Sequence, residues 1–90
     1  PGKYGRMRLA YLKTQRPVLY NKMLLNGTLW PHLQDVQKTA CAWLKRTMTT
    51  LLDKYPAPDK DRAQLLWVAH MNGLKAQAEE VVVREVVYAE

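Results

Sequence analysis

The stretch that decides the fold is Leu51-Leu52-Asp53-Lys54-Tyr55-Pro56-Ala57-Pro58-Asp59-Lys60-Asp61-Arg62. Two prolines within three positions make Tyr55 to Pro58 the one strong helix breaker in the chain. Upstream, Leu29, Leu33, Val36, Ala40, Trp43 and Leu44 trace one stripe at helical spacing, extended by Met48, Leu51 and Leu52. A helix from about Leu29 to Asp53 follows, with Pro31 tolerable in its first turn. Downstream, Asp59 or Asp61 caps a further helix, starting at about Lys60 and carrying Leu65, Leu66, Ala69, Leu74, Ala76, Ala78 and Val81. Two long helices joined by a short rigid loop make an antiparallel hairpin.

Toward the start of the chain, Gly2 to Gln15 is rich in helix formers, with Tyr4, Met7 and Tyr11 on one side. Pro17 disfavours helix at Arg16 and suits a first helical position, so a restart falls there. The helix from Val18 to Asn26 ends at Gly27, which takes the left-handed conformation, and Thr28 caps the next helix. Val82, Val83, Val86 and Val87 repeat as a helix stripe although valine favours strands, and the end is read as helix. The expected fold is all-α: one domain over residues 1–90 and a compact four-helix unit. A basic helical segment (1–27) packs across the long hairpin (28–90). A dimer seam using Val81 with Val82/Val86 or Val83/Val87 is a further expectation.

The chain has 90 residues, 48% apolar and 24% charged, which is globular composition. Its longest apolar runs, Leu65 to Ala69 and the equally long Ala40 to Leu44, are far short of the ~20 residues a bilayer demands. A lone cysteine, Cys41, excludes an internal disulfide framework and suits a reducing cytoplasm. The opening at Pro1-Gly2 rather than Met points to a fragment or a processed form.

Charge is unevenly placed. Residues 1–34 hold six basic side chains and no acidic one, whereas residues 35–90 hold eight of each. The net +6 therefore belongs to the leading third, together with Tyr4, Tyr11 and Tyr20. Cations neutralise phosphates and aromatic faces stack on bases. Lys3, Tyr4, Arg6, Lys13, Arg16, Tyr20 and Lys22 are thus the candidate nucleic-acid-binding residues. The plainer reading is a solvated basic face with tyrosines in the core.

Catalytic chemistry finds no foothold. His32 near a helix start reads as a surface or capping residue, His70 as a partly buried, hydrogen-bonded one, and Cys41 as a small buried thiol. None has the spacing of a metal ligand set. Glu79 and Glu80 diverge by ~100° on a helix. The glycines at 2, 5, 27 and 73 do not form a phosphate loop. No enzyme, cofactor or metal is expected. Residues 17–26, Gly27-Thr28 and Leu29 onward have helix-turn-helix character, and the second helix opens with the polar His32, Gln34, Gln37 and Lys38, of which Gln and Lys can read base edges; but Asp35 lies among them and that helix is longer than a usual recognition helix, so an ordinary helical hairpin accounts for them better.

The string Gly2-Lys3-Tyr4-Gly5-Arg6-Met7-Arg8, then Tyr11-Leu12-Lys13, resembles the opening of the transposon-encoded protein TnpV family. So do Arg16-Pro17-Val18-Leu19-Tyr20-Asn21, Leu24-Leu25, Gly27, Leu29 and Pro31-His32-Leu33. Trp67-Val68, Met71-Asn72, Lys75 to Val82 and Glu85 to Tyr88 extend the resemblance over nearly the whole chain. Family members carry a leading segment that is not in this sequence. The resemblance implies a cytoplasmic bacterial protein of a mobile element, acting near DNA or on a host protein. It carries over no catalytic residues. Two functions are therefore expected. The first is a non-enzymatic accessory protein binding nucleic acid, DNA foremost, through phosphates. The alternative is a protein-interaction module, a dimeric adaptor or an inhibitor of a host nucleic-acid-binding or defence protein, anchored by Trp30, Trp43 or Trp67. A membrane partner is not expected.

Overall fold

The computed structural model describes residues 2–90 and is all-α. Helix α1 spans Lys3–Gln15, α2 Pro17–Leu25, α3 Leu29–Lys54 and α4 Gln64–Val82, followed by a π-helical turn, Val83–Val87. The order matches the sequence reading. No helix among the described residues is long and apolar enough to cross a membrane.

The breaks have local causes. Pro17 occupies the first turn of α2, and Arg16 leaves helical geometry at φ −134°, ψ 57°. Gly27 sits at φ 78°, which L side chains rarely adopt. The Thr28 amide donates to the Met23 carbonyl (3.0 Å), closing α2 in a Schellman turn. Thr28 does not cap α3 as expected: its hydroxyl donates to Asn26 Oδ1 instead. The fourth helix also starts later than expected, at Gln64 rather than Lys60. Asp59 does cap, but its carboxylate accepts the amides of Asp61 and Arg62 (2.8 and 3.0 Å) in a separate turn. Ala63 then breaks the helix at φ −137°, ψ 57°.

The end of the chain is helical, but wound more widely than expected. Tyr88 donates its amide to the Val83 carbonyl five residues back. An α-helix would set Val82 and Val87 about 140° apart; the wider turn brings both inward. Both are fully buried beside Tyr4 and Ala40, with Met7, Trp43, Leu44, Val83 and Val86 around them. Neither retains a free side for the expected dimer seam. A second cluster joins Leu12, Leu29 and Leu33, covered by Leu9, Tyr11, Leu19, Tyr20 and Met23.

The unit is elongated where compactness was expected. It measures 55 × 19 × 19 Å with a radius of gyration of 16.5 Å, against ~12 Å for a compact chain of this length. The reason lies in how far the basic helices reach. Every buried residue of α3 lies between Leu29 and Ala40, and Leu74 is the first buried residue of α4. From Cys41 to Gly73 nothing is buried among the described residues. Here α3 and α4 form an arm. Near its end His70 Nε2 meets the Tyr55 carbonyl at 2.7 Å.

Candidate functional site

The basic segment is tied into the fold more tightly than its composition suggests. Arg8 is buried, and its guanidinium donates through Nη1 to the carbonyls of Val87 (3.0 Å) and Ala89 (2.6 Å). Its Nε donates to His32 Nε2 at 3.1 Å. His32 Nε2 must therefore be the unprotonated ring nitrogen. Burial, and then the Arg8 charge, hold His32 below its ordinary pKa. Burial likewise pulls Arg8 down. His32 is thus a half-buried acceptor and not the surface or capping residue expected.

Of the seven predicted nucleic-acid residues, three meet a carboxylate from the second half of the chain. Lys3 pairs with Glu79 at 2.8 Å, holding that carboxylate below its usual range with help from Tyr4. Tyr4 is buried and donates its hydroxyl to Glu79 at 3.0 Å; burial, then this bond, push it up to about 12. Arg16 pairs with Glu90, which also accepts the Tyr11 hydroxyl at 2.6 Å. Lys13 lies 5.7 Å from the centre of the half-buried Tyr20 ring. Arg6 and Lys22 stand exposed on α1 and α2.

Gln37, which the helix-turn-helix reading offered as a base-reading side chain, caps α1. Its Oε1 accepts the amides of Tyr4 (2.8 Å) and Gly5 (3.0 Å), supplying the side-chain cap that Gly2 lacks. Its Nε2 donates to Cys41 Sγ at 3.3 Å, and Cys41 is exposed rather than buried. No group of three His, Cys, Asp or Glu placed to hold a metal occurs among the described residues.

Apolar exposure is the feature that composition concealed. Helix α2 buries none of its nine residues. Val18 is 82% exposed and Leu25 87%. Seven residues apart, they share one helix face, a spacing visible in the sequence. Trp30, just past the turn, is 54% exposed, while Trp43 and Trp67 are half-buried under Arg46 and Lys60.

These features define a small all-helical protein whose leading basic segment is fastened to the end of its chain and whose second helix turns apolar residues outward. The family model of the transposon-encoded protein TnpV matches residues 1–87, and the chain belongs to that family. The protein is accordingly transposon-associated. No curated protein and no solved structure matches it.

Proposed function

We propose that this protein is a non-enzymatic interaction module that binds another protein through the outer face of α2. The observation that carries this reading is the exposure of Val18 and Leu25 on one side of a helix with no buried residue. Trp30 adds an exposed aromatic anchor of the kind enriched at binding hot spots. Pairing Lys3 with Glu79 and Arg16 with Glu90 weakens the competing case for a bare cationic ridge. In this reading α3 and α4 are an antiparallel hairpin that serves as scaffold.

A second reading, phosphate binding by Arg6, Lys13 and Lys22, draws on the absence of any carboxylate in residues 1–34. Affinity capture from the host with and without nuclease separates the two. Under the first reading the partner resists nuclease and is lost with the Val18→Asp, Leu25→Asp double variant. Recovery only through nucleic acid, abolished by charge reversal at Arg6 and Lys13, establishes the second and overturns the first.

A further inference from the structure

The outer side of α4 is an uncovered apolar face distinct from that of α2. Leu65 is 84% exposed and Leu66 67%. Leu66, Ala69, Gly73 and Ala76 follow at alternating spacings of three and four, the pattern of a helix-pairing seam. All four are exposed, and a side chain built on Gly73 meets nothing within 4 Å. From α1, the Lys3 and Tyr4 side chains reach α4 only at Glu79, at the margin of this face. No charged residue interrupts the seam. Its ends are charged and opposite: Arg62 stands just before the helix and Glu80 near its far end, both exposed. Neither joins an ion pair among the described residues.

We propose that this face binds a second copy of the same chain, with the two α4 helices packed antiparallel about a two-fold axis at the level of Met71. That register makes the face complementary to itself, as a two-fold interface requires. Arg62, in the turn ahead of each α4, comes to the end of the pair where Glu80 of the other copy lies. Leu66 faces Ala76, a large side chain against a small one, and at the centre Ala69 faces Gly73, which lets the two helices approach closely. Ala76, Glu80 and Val83 also line a shallow depression with Glu79, Arg84 and Tyr88, and the Leu66 and Leu65 side chains of the opposite copy are placed to enter it. A single helix pair buries less than the ~1,600 Å² of a standard interface, so the association is weak and concentration-dependent. It uses none of the α2 residues, and the two readings stand or fall separately.

Sedimentation equilibrium of the full chain over a wide concentration range tests this. A monomer–dimer equilibrium is expected, lost in Ala69→Arg while the helical circular dichroism is retained. Gly73→Leu, which improves helix propensity, also abolishes it by blocking close approach. Arg62→Glu and Glu80→Arg should each weaken self-association about tenfold, since like charges then meet twice. Mixing the two single variants restores pairing, because the two acidic ends of one chain then meet the two basic ends of the other. The weakening by each single change marks the antiparallel register, since in a parallel pair either change only exchanges one like-charge pair for another. A chain monomeric up to about millimolar concentration, or a dimer indifferent to Ala69→Arg, overturns the proposal and leaves the face to a partner of other chemistry. Failure of the mixed variants to pair overturns the register.

Discussion

The buried guanidinium of Arg8 donates to the main-chain carbonyl of Val87, 79 positions later in the chain. One side chain of the first helix thereby satisfies the loosened backbone at the end of the π-helical turn, and the same nitrogen reaches the Ala89 carbonyl. A cation is the right group for this. Val87 and Ala89 present acceptors only, and charged donors make the stronger bonds.

Replacing Arg8 with Met, similar in length and without donors, should cost about 2–4 kcal/mol, because buried carbonyls lose their partner. Urea denaturation should show a lower midpoint with little change in slope. Arg8→Lys should recover only part of the loss, since an ammonium cannot reproduce the fork. An Arg8→Met variant as stable as the parent would mean that the clasp contributes nothing.

His32 makes stability depend on pH. Its folded pKa lies below the ordinary ~6.5 because it is buried beside Arg8. The unfolded chain then binds more protons just below ~6.5, so stability is complete above that value and falls as pH drops toward the depressed folded pKa. Protonation also removes the lone pair that accepts from Arg8. His32→Gln keeps an acceptor without a titrating ring, and the stability change between about pH 7 and 5.5 should flatten in that variant. A slope identical to that of the parent would refute the assignment.

Gln37 caps a helix that is not its own. Gln37→Ala should lower stability by about 1 kcal/mol by exposing the amides of Tyr4 and Gly5. Gly2 must stay small, since a Cβ there would lie 2.6 Å from Gln37 Cδ. Gly2→Ala should displace the glutamine and reproduce most of the Gln37→Ala loss. The two changes together should cost little more than either alone, and a fully additive double variant would show that they act independently.

The arm should open more readily than the clasped end. At concentrations low enough to keep the chain monomeric, amides of residues 41–54 and 64–73 should exchange faster than those of 29–40 and 74–82, because no buried side chain lies between Cys41 and Gly73. Each tenfold difference corresponds to about 1.4 kcal/mol of opening free energy. Uniform protection along α3 would contradict this gradient.

The helices and most of their breaks were legible in the order of amino acids alone, the Gln64 start of α4 and the π-helical turn being the exceptions. Periodicity, Pro17, Gly27 and the Tyr55–Pro58 stretch act over a few residues, and backbone sterics and local hydrogen bonding need no distant partner. The family, too, was legible in strings such as Gly2 to Arg8. Tertiary structure alone decided which charges remain available and which apolar groups stay in water. Lys3, Arg16 and Tyr4 look like any basic or aromatic surface residues until folding places Glu79 and Glu90 beside them. Arg8 became structural because a π-helical turn far along the chain offered it carbonyls. Those outcomes depend on contacts between residues more than seventy positions apart, which no local pattern of side chains encodes.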